Sequence, residues 1–448
     1  MHLHILGICG TFMGGLALIA RAAGHRVTGC DAQVYPPMST QLAEQGIELV
    51  ESYGVGQLKL APDIWVVGNA VTRGNPLMEA ILDARARFIS GPQWLAENVL
   101  QSKWVLAVAG THGKTSTSSM LAWILEAAGH EPSFLIGGIP SNFNVSARLT
   151  ASPYFVIEAD EYDTAFFDKR SKFLHYGCRT AVLNNLEFDH ADIFPDLAAI
   201  ETQFHHFVRI LPRCARLVIN GGDAAIRRVL DRGSWSEVDP FAVAGGWEIG
   251  REDGDAFEVR HRGVSQGDVR WTQLGLHNRL NALAAVAAAN HVGVPAPLSV
   301  QALSAFTGVE RRMQVRGTIK GVTVYDDFAH HPTAIATTLA GLRAKVGTRR
   351  ILAVLEPRSN TMKRGTIKDA LAGSLVDADR IFCFSAGLEW DAMQVLSPLG
   401  RRVVCAADFA LFLDAIMCEV RAGDHVLVMS NGGFNGIHPK LLDRLAAT

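Results

Sequence analysis

Gly113-Lys114-Thr115 closes the stretch VAGTHGKTST (108–117), and that trio is the working end of a phosphate-binding loop. In such a loop the lysine reaches the β- and γ-phosphates and the hydroxyl coordinates Mg²⁺. The generic pattern begins on a glycine where this chain has Val108, so the turn here starts at Gly110 and runs through Thr111, His112 and Gly113. Its successive N–H groups form an anion nest, and the helix starting at Lys114 adds its dipole. A plain strand-to-helix turn is the competing reading, but it leaves the Gly-Lys-Thr trio to chance. Two acidic clusters follow apolar strands downstream. YFVIEADEYD carries Glu158, Asp160, Glu161 and Asp163, and NNLEFDHADIF carries Asp189, His190 and Asp192. A hard cation takes oxygen ligands and pairs one or two carboxylates with substrate phosphates, which is the chemistry these clusters suit. A solvated acidic loop is the alternative.

A second phosphate-binding candidate lies at the start of the chain. GICGTFMGG (7–15) follows a strand, and Asp31 closes the next one. Glycine lets backbone N–H groups approach a diphosphate at a helix N-terminus, and an acid after the second strand suits ribose hydroxyls. Cys9 and Phe12 stand where the dinucleotide fingerprint has its second and third glycines. Both a nucleotide site and a turn needed only for packing therefore stay open, and an NAD site is the weaker form of the first.

These residues need elements to hold them. Strand-like HLHILGI, HRVTGCD and DIWVVG alternate with helical stretches up to about residue 100. From 101 to 307, WVLAVAG, YFVIEAD and TAVLNN read as buried strands, with an alanine-rich helix around 278–291. FEVRHRG and DVRWTQLG read as an antiparallel hairpin within 242–275. From 308 onward GVTVYDD, RILAVLE, RIFCFS, RRVVCA and HVLVMS repeat the alternation. Strands alternating with helices imply an α/β fold with parallel sheets, and ligands then gather beyond the carboxyl ends of the strands. The segmentation predicts three domains, 1–100, 101–307 and 308–448.

Composition narrows the class. The 448 residues are 48% hydrophobic and 19% charged, enough to bury several cores. With 42 basic and 44 acidic residues there is no electrostatic footprint for nucleic acid or an anionic membrane. Seven cysteines (9, 30, 178, 214, 383, 405 and 418) form no C-x-x-C pair, and several sit in apolar runs. A reduced, cytoplasmic setting fits; a disulfide scaffold or zinc cluster does not. The glycine-punctuated N-terminus makes a poor signal peptide.

AGTHGKTS, EADEYD, NNLEFDH, GLHNRLNALAA, GVERRMQ and YDDFAHHP stand in the order and spacing of the Mur ligases, the ATP-dependent amide-forming enzymes of peptidoglycan synthesis, and the resemblance covers essentially the whole chain. Their nucleotide loop has the same shortened form. EPRSNTMK (356–363) and SNGGFNGIH (430–438) resemble the branch that joins L-alanyl-γ-D-glutamyl-meso-diaminopimelate, the murein tripeptide, to UDP-N-acetylmuramate in recycling. The alternative is the branch that adds L-alanine in de novo synthesis. The resemblance implies a three-domain architecture: a Rossmann-like first domain, a P-loop ATPase centre and a Rossmann-like third domain.

Residue by residue, it implies the following. Gly10, Thr11, Gly14, Asp31 and Asn69 hold the UDP part, and Asn142, within GGIPSNFNVSA, lies along the muramoyl group. MgATP is bound by Gly110, Thr111, His112, Gly113, Lys114, Thr115 and Ser116. His277, Asn278 and Asn281 match the adenine-side motif, and Asp326 and His330 the ribose-side motif. Arg312 resembles an arginine sent to the phosphates. Thr115, Glu158 and His190 are the implied magnesium ligands, and Lys114, His190 and Arg312 the implied catalytic groups. Arg358, Ser359, Asn360 and Asn431 are the implied peptide clamp.

The implied mechanism converts the lactoyl carboxylate into an acyl phosphate, which the peptide amine then attacks. An Asp or His takes the amine proton; the sequence does not choose between them. With the UDP part and Glu158 expected in different domains, UDP-sugar binding is expected to be independent of Glu158. One departure from the family stands out. Several Mur ligases carry a carbamylated lysine beyond the Asp-His pair, and 191–211 here contains no lysine. Glu201, His205 or His206 stands near that place, unless the histidines simply pack against a neighbour. A dinucleotide-dependent oxidoreductase leaves the 110–116 loop and the acidic clusters idle. A switch-type nucleotide-binding protein leaves the flanking blocks unexplained.

Overall fold

The computed structural model describes residues 1–34 and 38–447. It divides into two compact units: Met1–Phe188 with Asp196–Trp271 and Leu280–Thr307, and Asp189–Pro195 with Thr272–Arg279 and Gly308–Thr448. Two stretches inside the expected 101–307 block, 189–195 and 272–279, thus pack with the second unit.

Among the described residues the first unit holds two large sheets and a two-stranded hairpin. His2–Leu6, Arg26–Asp31, Glu48–Glu51, Ile64–Val67 and Phe88–Ser90 form a five-stranded parallel sheet with His2–Leu6 at its centre, flanked by Arg26–Asp31 and Ile64–Val67. The helix Thr11–Ala22 packs closely because glycines remove side chains where neighbours pass. A Cβ on Gly14 would lie 2.3 Å from the Met38 sulfur, and one on Gly15 2.3 Å from Leu135 Cδ1. A side chain at 14 or 15 would displace Met38 or Leu135.

The second sheet has ten strands. Trp104–Ala109 lies between Tyr154–Glu158 and Thr180–Leu183, all parallel, and each of the three is almost wholly buried. Strands apolar on both faces are what a sheet covered by helices requires. The sheet runs on through Arg216–Asn220 and Glu237–Phe241 into an antiparallel extension of three strands, Trp247–Asp253, Ala256–His261 and Val264–Arg270. The last two are the expected hairpin. A further hairpin, Asp163–Ala165 with Asp168–Ser171, leaves the acidic strand end and packs Phe166 against the apolar cluster of the first sheet that includes Leu6, Trp65 and Val71.

The second unit is built on a six-stranded sheet. Val322–Asp327, His425–Met429, Ile351–Leu355, Arg380–Phe384 and Val403–Ala406 are parallel, and Gln314–Ile319 adds an antiparallel edge. Apolar clusters lie on both faces of it. Among the described residues no helix is long and apolar enough to cross a membrane.

Candidate functional site

In the first unit the strand Trp104–Ala109 delivers the chain into Gly110 and Gly113, both at positive φ (133° and 80°), and the helix Lys114–Ala127 begins directly after them. That conformation is glycine's own region of φ/ψ space. Space demands it as well, since a Cβ on Gly113 would lie 2.4 Å from Asn281 Oδ1 and 2.7 Å from Asn184 Nδ2. Asn184 donates to Asn281 Oδ1 (2.9 Å) and to the His112 carbonyl (3.3 Å), while the His112 N–H donates to Asn185 Oδ1 (2.7 Å). Asn281 therefore braces the loop from outside. Asn184 and Asn185 do the same and were missed as site residues, although NNLEFDH contains them. His112 reaches Glu187 through its ring (3.1 Å), and Ser116 sits half-buried in the first turn of the helix.

Lys114 folds over its own loop. Its ammonium donates to the Gly110 carbonyl (2.7 Å), the Thr111 carbonyl (3.3 Å) and Glu161 Oε2 (3.0 Å), and the side chain is only 12% exposed. Burial alone would lower its pKa, but the carboxylates of Glu161, Asp160 and Glu158 outweigh that and raise it, so the lysine is charged. Thr115 donates its hydroxyl to Glu158 Oε1 (3.1 Å), and the other oxygen of Glu158 accepts the Gly137 N–H (2.7 Å). A glycine turn leading into a helix N-terminus, a charged lysine and a hydroxyl–carboxylate pair of oxygen ligands fit a Mg²⁺-nucleotide phosphate.

The glycine turn at the start of the chain opens on a cavity of about 490 Å³. Gly10, Thr11, Asp31 and Asn69 line it, together with Phe12, Glu158, Asp160 and Lys172. Glu158, expected to lie apart from the Gly10 turn, lines the same cavity, where two sheets of one unit end. Asp31 accepts the N–H groups of Cys9 (2.9 Å) and Ala32 (2.7 Å), so it also braces the turn. Gly14 packs behind the turn. Asn142 does not line the cavity: its amide donates to the Ala305 carbonyl (3.1 Å) and accepts from the Thr307 N–H and hydroxyl (3.0 and 2.9 Å).

In the second unit, strands Ile351–Leu355 and His425–Met429 pair in parallel with Leu355 opposite Met429, so the loops after them emerge side by side. A Cβ on Gly432 would lie 2.1 Å from Arg358 Nη1, which brings exposed Arg358 across the loop that carries Asn431. Ser359 caps the short helix Asn360–Lys363. Asn360 donates to Asp192 (3.2 Å) and Thr361 to Asp189 (3.1 Å), and these bonds tie the 189–192 segment to this unit. Burial pushes the Asp189 carboxyl up, but the imidazoles of His190, His330 and His331 and the His190 N–H overcome that and hold it down at about 2. His190 itself adopts a φ of 55°.

Asp326, expected on the ribose side, is held by basic neighbours of the second unit. It is 4% exposed, and its carboxylate faces Arg311 and His438, each at 3.4 Å. Arg312 lies 5.0 Å from the centre of the Phe328 ring, and the His330 ring bonds the Phe328 carbonyl (3.0 Å). Asn278 donates to the Leu274 carbonyl (2.8 Å), and His277 lies one residue before it on the helix Leu276–His291. Two of the residues near the place of the missing lysine have partners of their own: Glu201 pairs with Arg228, and His205 packs near the ring of Trp235.

Comparison with known proteins gives three family matches in order along the chain. Residues 2–103 match "Mur ligase family, catalytic domain", residues 108–289 match "Mur ligase middle domain", and residues 311–432 match "Mur ligase, glutamate ligase domain". A protein of Escherichia coli (strain K12) named UDP-N-acetylmuramate--L-alanyl-gamma-D-glutamyl-meso-2,6-diaminoheptandioate ligase is 55% identical, covering 100% of this chain and 98% of that protein. Its namesake in Haemophilus influenzae is 51% identical over 99% of each. Among solved structures, a murein peptide ligase from Psychrobacter arcticus 273-4 is 46% identical with a TM-score of 0.79, over 100% of this chain and 99% of that one. With three domains matched in order and full-length likeness at this level, the chain belongs to the Mur ligase family.

Proposed function

We propose that this protein is an ATP-dependent ligase joining the lactoyl carboxylate of UDP-N-acetylmuramate to the amine of L-alanyl-γ-D-glutamyl-meso-diaminopimelate, in the cytoplasmic recycling of peptidoglycan. One observation carries the reading. The cavity lined by the Gly10 turn and Asp31 is also lined by Glu158, which holds Thr115 of the phosphate loop. A sugar nucleotide on one wall and a nucleoside triphosphate on the other would meet there. The likeness to relatives named for a tripeptide acceptor supports the choice of amine.

A carboxylate is a poor acyl donor until one oxygen becomes a leaving group, and the γ-phosphoryl of ATP makes it one. Mg²⁺ held by Thr115, Glu158 and His190 would supply positive charge to the phosphate oxygens. Lys114 would exchange Glu161 for those oxygens and spread the charge in transfer, and Arg312 would do the same from its own domain. Leu135, Ile136 and Met13 give the cavity apolar wall, which limits water at an acyl phosphate that water would destroy. The attacking amine must lose a proton. Asp189, ionised down to about pH 2, is a weak base at neutral pH.

The test is an acceptor panel: ATP and UDP-N-acetylmuramate with L-alanine, L-alanyl-γ-D-glutamate or the tripeptide, followed by phosphate release. Release is expected only when sugar nucleotide and peptide are both present, with the tripeptide preferred. Preference for L-alanine would reassign the protein to the de novo branch. Release without sugar nucleotide would sink the ligase reading.

A further inference from the structure

Lys172 belongs to no motif of the sequence, yet it lines the cavity described above. It follows the strand Asp168–Ser171 of the small hairpin, and its side chain is only 11% exposed. Its ammonium donates to Asp160 Oδ2 at 2.7 Å and lies 5.7 Å from the centre of the Phe12 ring and 5.6 Å from that of Tyr162. Phe12 is in the first turn of the helix Thr11–Ala22, whose N-cap Gly10 makes no side-chain cap bond. First-turn N–H groups have no intrahelical acceptor and so face an incoming anion.

Charge makes the case. Three carboxylates line the cavity, those of Asp31, Glu158 and Asp160, and Lys172 is the one basic side chain among the described lining residues. Asp31 is met by two backbone N–H groups and Glu158 by a hydroxyl and a backbone N–H. A diphosphate entering beside three carboxylates needs a cation, or Coulomb repulsion in a partly desolvated space opposes it. An ammonium has three protons, so Asp160 can fix its position while other protons point at a ligand.

Resting on the reading above, we propose that Lys172 binds the diphosphate of the UDP-sugar, held in place by Asp160 and set beside the helix N-terminus at Thr11 and Phe12. The hairpin that carries it is anchored by Phe166 in the first sheet's core, so the cation is fixed to the domain that holds the diphosphate. Lys172 thereby does for the sugar nucleotide what Lys114 does for ATP.

The experiment compares the full-length protein with Lys172→Met and Lys172→Arg. Binding of uridine, UDP and UDP-N-acetylmuramate is measured by calorimetry, and the KM for ATP by phosphate release. Loss of a charge-assisted bond should weaken UDP and UDP-N-acetylmuramate about 10- to 100-fold in Lys172→Met. Uridine, which has no phosphate, should bind as in wild type, and the KM for ATP should stay put. Lys172→Arg, which keeps the charge, should recover part of the UDP affinity. Equal loss for uridine and UDP would make Lys172 structural, and unchanged UDP binding would overturn the proposal outright. Should Lys172→Met not fold, Lys172→Gln takes its place with the same expectations. If wild type itself does not bind UDP-N-acetylmuramate, the functional reading fails rather than the role of this lysine.

Discussion

Lys114 illustrates how a motif becomes a device only through its neighbours. Local sequence says that a lysine after Gly113 points at phosphate; the fold adds Glu161, 1% exposed, as the group that keeps it charged and folded over the loop. Lys114→Ala should lower ligation at saturating MgATP by at least about a hundredfold, because a charged donor at the transferring phosphoryl is worth more than a neutral oxyanion donor. Circular dichroism should show the fold intact; a rate above a tenth of wild type would sink the assignment. Arg358 calls for a different readout. Its guanidinium crosses Gly432 from an exposed position, free to grip a peptide carboxylate with two parallel bonds that a lysine cannot reproduce. Arg358→Lys should raise the KM for tripeptide about tenfold or more while the KM for ATP holds. An unchanged tripeptide KM would remove Arg358 from the clamp. The sequence proposes both residues because each sits in a compact motif. Lys172 and Asp160 were not joined there, since only the hairpin between them brings the two charges to 2.7 Å.

At the scale of elements, the phosphate loop is held from several directions at once. Gly113 combines a φ of 80° with the contact of Asn184 and Asn281, so backbone strain and steric overlap act on the same residue. Gly113→Ala should displace the loop and cost about 1–3 kcal/mol of stability. ATP-dependent turnover should fall far more than UDP binding, which the other nucleotide turn supports; equal losses in a thermal-shift and activity comparison would mean global disruption. The central strands were readable because both their faces are apolar, as in WVLAVA and TAVL. Glu48–Glu51 and Gln314–Ile319 were not, because edge strands are half exposed and carry no such run. The antiparallel extension was seen as two strands; its third, WEIGRED, lies inside the sheet but is half exposed and carries no apolar run, so it escaped.

At the scale of the whole molecule, folding stability is linked to pH through a buried histidine. His4 lies at the centre of the first sheet, its ring bonded to Thr28 (2.7 Å) and Gln57 (3.0 Å). Burial lowers its pKa from 6.5 to about 4, with the Gln57 bond opposing in part and His2 adding to the drop. In the window between those values the unfolded chain binds a proton that the folded chain refuses, so stability falls as pH falls through it. The loss should reach roughly 2 kcal/mol between about pH 7.5 and about pH 5. Urea unfolding at both pH values should show this dependence in wild type and a smaller one in His4→Gln. An identical pH dependence in the two proteins would mean that His4 is not the linked group.

The sequence by itself determined the α/β class, the shortened phosphate loop, the acidic strand ends and the family, because each is written in residues close along the chain or repeated at a fixed period. Tertiary structure alone decided what long-range contact controls. It put Glu158 and the Gly10 turn on one cavity, placed Lys172 in that cavity's wall, and turned Asp326 toward Arg311 and His438. It also drew 189–195 and 272–279 out of the central block and into the second unit. Local propensity and spacing report which way a chain segment runs and which face it buries. Which distant charges must neutralise one another is set only when sheets and loops meet, since that energy depends on separation in space and not along the chain.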